Sequence, residues 1–211
     1  MEKLKKYLKN IKLFISSIVG IILPHRCPSC KEVVENNKVF CRNCWKKLIF
    51  IKKPYCSVCG KPFKFDFNKN KKDFVCDDCL LNKKEYNLAR SVLVYDNTIS
   101  RAIFQFKFYK KTFLSDFFAN LIVDNYRNLI EDCDYIIPVP MHFKKLKKRT
   151  YNQSFLIARD IAKRIKNVEL IYNLLQKKKH TKAQITLKGE NRKKNLKDAF
   201  VFNEKYKDLV Y

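Results

Sequence analysis

Apolar residues recur along this chain with two distinct periods. Leu4, Tyr7, Leu8, Ile11, Phe14, Ile15 and Ile18 fall at steps of three and four, so residues 1–24 read as an amphipathic helix. Ser91–Tyr95 (SVLVY) is a short apolar run of strand character. Thr98–Tyr126 returns to the helical period, with Ile103, Phe104, Phe113, Phe117, Leu121 and Ile122 as its apolar positions. Asp134–Pro140 (DYIIPVP) is a second strand, stopped by its prolines. Residues 153–166 form another helix, with Phe155, Ala158, Ala162 and Ile165 on the apolar face and Arg159, Lys163 and Arg164 elsewhere. Ala199–Phe202 and Leu209–Tyr211 read as short strands. Strands separated by helices predict an α/β fold, with βαβ units around a parallel sheet flanked by helices. The longest apolar run, Leu13–Leu23, is 11 residues, whereas a membrane-spanning helix needs about 20. A soluble chain is expected, with peripheral membrane contact at most, through the first helix.

Composition narrows the functional classes. The 211 residues suffice for a medium domain, or for a small domain joined to a larger one. A hydrophobic content of 46% argues against wholesale disorder, and only 3 Gly and 6 Pro exclude collagen-like and linker sequences. Lys and Arg number 46 against 20 Asp and Glu, a formal charge of +26. Such a field favours polyanions: nucleic acid, phosphorylated small molecules or an anionic membrane surface. Lys is frequent everywhere, as a biased genome would make it. Clustering is a separate signal: residues 141–198 carry 18 Lys and Arg against 4 Asp and Glu, a net +14.

Eight of the 9 cysteines form four CxxC pairs: Cys27/Cys30, Cys41/Cys44, Cys56/Cys59 and Cys76/Cys79. Zn²⁺ takes four thiolates in a tetrahedron, and each CxxC turn offers two sulfurs to one side of the ion. Two turns close the shell and leave no open position for water, so the expected metal is structural. A disulfide framework would imply secretion, and the basic start with its apolar stretch imitates a signal peptide. No small-residue cleavage site follows, however; the run ends in Pro24-His25-Arg26. A thioredoxin-like motif uses one CxxC rather than four, and iron–sulfur clusters usually use other spacings. Two structural Zn²⁺ ions are therefore expected, in a module spanning 25–82, with Lys61–Lys72 as a basic loop inside it. They point to a reducing, cytoplasmic setting. Sequential pairing, the first four Cys and then the last four, gives two zinc ribbons; interleaved pairing gives a cross-braced module. Sequential pairing is favoured. Cys133 stands alone before an apolar run, as a small buried hydrophobe would, and has no assigned role.

Pro138–Asn152 (PVPMHFKKLKKRTYN) is read as a loop that follows a strand and precedes a helix. Ligands of open parallel sheets bind at the C-terminal ends of strands. Lys144, Lys145, Lys147, Lys148 and Arg149 gather there, beside a helix start whose free N–H groups suit a phosphate. Asn152 and Gln153 add neutral hydrogen-bonding groups. A solvated basic loop is the plainer alternative.

The segment IPVPMHFKKLKKRTYNQSFLIARDIA resembles the ComF family motif, which reads close to PVPLHxxRLxxRGFNQ followed by a helix. A second block, TKAQITLKGENRKKNLKDAF, resembles that family's TKPQxxL…RxxNxxxAF segment through Thr181, Gln184, Leu187, Arg192, Asn195, Ala199 and Phe200. An N-terminal double zinc ribbon is also the family's arrangement, so the resemblance covers about residues 25–211. It implies a type I phosphoribosyltransferase-like domain over 88–211, and a role in uptake of transforming DNA on the cytoplasmic side. The fold's usual ligand is phosphoribosyl pyrophosphate (PRPP) with Mg²⁺. By motif position, Arg149, Asn152 and Gln153 would lie at its diphosphate loop. Thr181, Gln184, Arg192 and Asn195 would belong to a mobile loop closing over it, and Lys107 resembles the Lys before the family's first helices.

The sequence also departs from the pattern. Thr150 and Asp198 stand where the family prefers Gly, and Asn191 where it prefers Glu. The family's paired acidic residues followed by Thr or Ser and Gly, expected after Leu209–Tyr211, have no counterpart in these 211 residues. The domain therefore reads as C-terminally incomplete, and this chain as inactive in phosphoribosyl transfer. The function expected is an accessory protein of natural competence that binds phosphate-rich ligands, single-stranded DNA first among them. Phe143, Tyr151 and Phe155 are its candidate stacking rings, although core packing is the plainer role for Phe155. The alternatives are a PRPP- and Mg²⁺-dependent phosphoribosyltransferase, if a full-length chain supplies the missing loop, and a scaffold whose ribbons dock a DNA-uptake helicase or channel component.

Overall fold

A computed structural model describes residues 24–35, 38–63 and 74–209. Residues 1–23 of the helix expected over 1–24, the interior of the Lys61–Lys72 loop and the last two positions of the strand expected at Leu209–Tyr211 lie outside these residues, while Leu209 itself closes a 3₁₀ segment, Glu204–Leu209, rather than opening a strand. The chain divides into two compact units, Met1–Ile103 and Phe104–Tyr211.

In the first unit each ribbon repeats one local plan. The first CxxC of each ribbon sits in a tight turn, closed by Lys31 N–H to the Cys27 carbonyl (2.8 Å) and Gly60 N–H to the Cys56 carbonyl (2.9 Å). The residue after the turn is left-handed in both, Lys31 at φ 68° and Gly60 at φ 71°. The second CxxC of each ribbon opens a short helix, α1 (Arg42–Lys46) and α2 (Asp77–Leu81), with Cys41 and Cys76 at the N-caps. Ser91–Tyr95 is not a strand of a parallel sheet. It runs back along the first ribbon through an isolated antiparallel bridge, Phe50 to Leu93, with hydrogen bonds Ile51 N–H to Val92 O and Val94 N–H to Ile49 O. Backbone pairing to a neighbouring segment thus decided its role, where its apolarity alone could not.

The helix expected over Thr98–Tyr126 is two helices, α3 (Asn97–Phe108) and α4 (Leu114–Glu131). Lys110, at φ 55°, turns the chain between them. The strand expected over Asp134–Pro140 shrinks to β1 (Tyr135–Ile136), because Pro138 and Pro140 have no N–H to continue a ladder. The loop expected up to Asn152 contains a helix, α5 (Phe143–Arg149), which is capped by the buried His142 side chain accepting from Lys144 N–H (3.2 Å). Helix α6 (Gln153–Ala162) follows. β1 pairs in parallel with β2 (Glu169–Leu170), and β3 (Leu175–Lys177) pairs antiparallel with β4 (Phe200–Phe202). The expected strand Ala199–Phe202 is thus present, but in an antiparallel pair.

This is an α/β architecture: a double zinc ribbon, then helices around a small parallel pair. The core of the second unit is Ala119 and Val123 of α4 against Ile161 of α6, Ile165 and Val168, with Ile122, Ile130, Ile136 and Ile157 packed around it. The buried face of α6 is Leu156, Ala158 and Ile161, whereas Phe155 and Ala162 are only half-buried. On α3 the buried apolar positions are Ile99, Ala102 and Phe106, leaving Phe104 50% exposed. Phe113, also read as apolar-facing, is exposed. Cys133 is exposed too, its thiol donating to the Leu129 carbonyl (3.3 Å) at the end of α4. Among the described residues, no helix is long and apolar enough to cross a membrane.

Candidate functional site

The eight paired cysteines gather into two tetrads, Cys27/Cys30/Cys41/Cys44 and Cys56/Cys59/Cys76/Cys79, with the sulfurs of each within 4.8 Å of one another. This is the sequential pairing. Cys30 Sγ lies 3.5 Å from Cys41 Sγ, and Cys59 Sγ 3.7 Å from Cys76 Sγ. A Zn–S distance of about 2.3 Å in a regular tetrahedron sets sulfurs about 3.8 Å apart, so both tetrads fit the ion. Backbone amides already point at the sulfurs: Cys44 N–H to Cys41 Sγ (3.4 Å), and Cys59 and Cys76 N–H to Cys56 Sγ (3.5 and 3.4 Å). At Cys56 burial resists ionisation, but the N–H groups of Cys59, Cys76 and Val58 outweigh it and bring the thiol down to about 6. Cys27 is brought down to about 7 in the same way, against its burial, by the amides of Cys30, Cys41 and Ser29. Each ribbon therefore contains one thiol primed to shed its proton to a metal. The two sites are those of structural zinc ions, with all four positions filled by sulfur.

In the second unit the basic residues fall into two groups. The first lies where α5 ends. Arg149 reaches Gln153 (Nη1 to Oε1, 3.4 Å), and Gln153 Nε2 donates to the Lys107 carbonyl (3.4 Å). The Arg149 guanidinium also covers the Phe108 ring at 4.7 Å. Desolvation and the Arg149 charge both push the Lys107 ammonium down, as neighbouring cations do to one another. Tyr151 anchors this corner, its hydroxyl donating to the Phe106 carbonyl and its ring 5.9 Å from that of Phe106.

The second group joins the two sequence blocks. Lys145 Nζ donates to the carbonyl of the buried Thr181 (3.0 Å), and the His142 and His180 rings lie 5.1 Å apart. Desolvation, His142 and the cations Lys145, Lys144 and Lys177 lower the His180 pKa. A cavity of about 490 Å³ opens beside this group, lined by Met141, Phe143, Leu146, Tyr172, Leu175 and Lys177.

The remaining expected residues have plainer placements. Lys144, Lys147 and Lys148 project from α5 into solvent, Lys147 lying 6.0 Å over the exposed Phe143 ring. Asn152 caps α6 by accepting from Ser154 N–H (3.0 Å) while donating to the Val139 carbonyl (3.0 Å), so both ends of its amide serve the backbone. Asn195 pairs reciprocally with Lys182 N–H and C=O, both at 3.2 Å, and Arg192 donates to the Leu187 carbonyl (2.8 Å). These two hold the turn Gln184–Thr186 against α7 (Glu190–Leu196). Gln184 is the exception: its side-chain amide is buried and meets no protein partner at either end. Of the candidate stacking rings, Tyr151 and Phe155 are half-buried, Phe155 against Tyr172, and Phe143 is exposed. Sequence reading missed the exposed aromatic edge of α3 and the His142/His180 pair. The i, i+4 spacing of Phe104 and Phe108, opposite Phe106, was a signal for the first.

Residues 18–80 match the model of the double zinc ribbon domain. Over 185 residues the chain is 26% identical to competence protein F of Haemophilus influenzae, covering 83% of this chain and 75% of that protein. No solved structure matches the chain. Two ribbons with complete cysteine tetrads agree with both matches, and the chain resembles the ComF family.

Proposed function

We propose that this protein is an accessory component of natural competence that binds single-stranded DNA on the cytoplasmic side during uptake. The observation that carries this reading is the convergence of uncompensated cations in the second unit. Lys107 meets Arg149 at one corner, and Lys144, Lys145 and Lys177 surround His180 at another; both groups depress the basicity of a member. Surfaces of this kind release counterions when phosphates replace them. The similarity to competence protein F of Haemophilus influenzae supports the competence setting. The zinc ribbons supply rigid structure, and an uptake helicase or channel component is the partner we assign to them.

The enzymatic reading meets half of its requirement. Arg149, Lys107 and Gln153 suit a diphosphate, but Mg²⁺ and a ribose also call for carboxylates, and among the described residues the only clusters able to share a metal are the two cysteine tetrads. We therefore derive no transfer step.

The test is fluorescence anisotropy of a labelled single-stranded oligonucleotide, titrated with the full chain from 50 to 200 mM salt. With about five phosphates engaged, affinity falls on the order of a hundredfold over that range. Absence of binding at low salt, or binding indifferent to salt, overturns the reading.

A further inference from the structure

Helix α3 divides its aromatic residues between two faces. Phe106 is 2% exposed and packs on Phe118 (5.7 Å) and Tyr151 (5.9 Å), which fixes the inner face. On the outer face Phe104 and Phe108, one turn apart, lie 4.8 Å from each other, and Tyr109 continues the row at 5.7 Å from Phe104. These three rings are 50%, 53% and 59% exposed. An i, i+4 aromatic pair stabilises a helix by only about 0.2–0.5 kcal/mol, which does not account for three large rings left in water. Their surroundings are cationic: Lys107 and Lys110 follow in sequence, Arg149 lies on Phe108, and Asn97–Ser115 contains no Asp or Glu. An acidic or purely apolar protein partner would leave either the rings or the charges unmatched. Unpaired nucleobases with their phosphates match both at once, since every base has a face to stack and every step carries a negative charge.

We propose that Phe104, Phe108 and Tyr109 form a stacking platform for the unpaired bases of single-stranded DNA, with Lys107, Lys110 and Arg149 holding the adjoining phosphates. This rests on the function proposed above and adds to it a base-contacting surface on α3. It assigns Arg149 two tasks: its planar guanidinium stiffens the Phe108 ring from one side and presents N–H groups to a phosphate from the other.

The experiment compares three probes of equal length, about 16 nucleotides: oligo-dT, an abasic oligomer with the same phosphates, and a duplex. The full chain is expected to bind oligo-dT about tenfold more tightly than either of the others. Phe108→Ala and Tyr109→Ala each weaken oligo-dT binding about tenfold and leave the abasic oligomer unaffected. A second measurement does not depend on losing a side chain: with Trp45→Phe as background, Phe108→Trp places the sole indole on the platform, and its emission is quenched by oligo-dT but not by the abasic probe. Equal binding of all three probes, or variants that bind oligo-dT as the parent does, overturns the platform while leaving DNA binding intact. No binding of any probe by the parent chain overturns both readings.

Discussion

Thr150 turns the chain between α5 and α6 at φ 69°, a left-handed conformation that a β-branched residue adopts only under strain. Asp198, at φ 55°, does the same ahead of β4. These are the two positions at which the ComF motif prefers Gly, and the backbone gives the reason. Thr150→Gly is expected to stabilise the protein by about 0.5–1 kcal/mol, the relief of Cβ strain exceeding the added freedom of the unfolded chain. Asp198→Gly should gain less, because Asp tolerates this region. Thermal denaturation of both variants checks the ranking. Asp160 is the other residue whose chemistry is decided by its neighbours. Burial pushes its carboxyl up, but the Ser115 hydroxyl (2.5 Å), Arg159 (2.9 Å) and Lys163 (3.6 Å) outweigh burial and hold it below the usual carboxylate range. A carboxyl depressed by folding stabilises the native state above its unfolded pKa of about 4, and that contribution is lost as pH falls through the lower folded value. Asp160→Asn is expected to cost about 2 kcal/mol at pH 7. The gap from the parent should narrow below about pH 4. Urea denaturation at both pH values measures it.

Among the elements, the two ribbons share a turn but not its crowding. The position after the first CxxC is left-handed in both, yet it is Lys31 in one and Gly60 in the other. The difference lies in what each faces. A Cβ on Gly60 would stand 2.7 Å from the Ala89 carbonyl oxygen, which belongs to the returning segment that Arg90 ties down through the Ser57 carbonyl (2.8 Å). Gly60→Ala should therefore destabilise the second ribbon by about 2 kcal/mol, read as loss of its metal at lower temperature than in the parent. Helix α3 was legible as a helix, but not in its facing. Phe104 and Phe106 are both apolar in sequence, and only packing on Phe118 and Tyr151 determines that Phe106 turns inward. The short helix α5 was hidden by its own composition, since Phe143–Arg149 has a single interior apolar residue, Leu146. Its start depends on a His142 cap.

For the whole molecule, metal and charge act on different parts. Small ribbons bury little surface, and a structural Zn²⁺ supplies on the order of 10 kcal/mol to such modules. Chelation should therefore abolish hydrogen-exchange protection around both cysteine tetrads while leaving it in α4 and α6, whose apolar core contains no cysteine. Within the second unit the positive charge concentrates in residues 141–198, which carry a net +14. Replacing Lys144, Lys147 and Lys148 together by Gln should lower the slope of log affinity against log salt by about 2 in the DNA titration. Their side chains reach solvent from α5, so the fold should be unaffected.

The sequence by itself determined the features that depend on short-range chemistry. Four CxxC pairs specify two tetrahedral thiolate sites whatever the surrounding fold, because each turn places its own two sulfurs. Periodic apolar runs marked helical stretches over 98–126 and 153–166, though not the break between α3 and α4, and the excess of cations needs no structure to be counted. Tertiary structure decided everything that depends on a distant neighbour. It turned Ser91–Tyr95 back onto the first ribbon, made Asn152, Arg192 and Asn195 backbone props, and brought Lys107 to Arg149 across 42 positions of chain. It also left Phe104, Phe108 and Tyr109 in solvent. A side chain's partners are set by which elements fold against it, and local pattern carries no record of that choice.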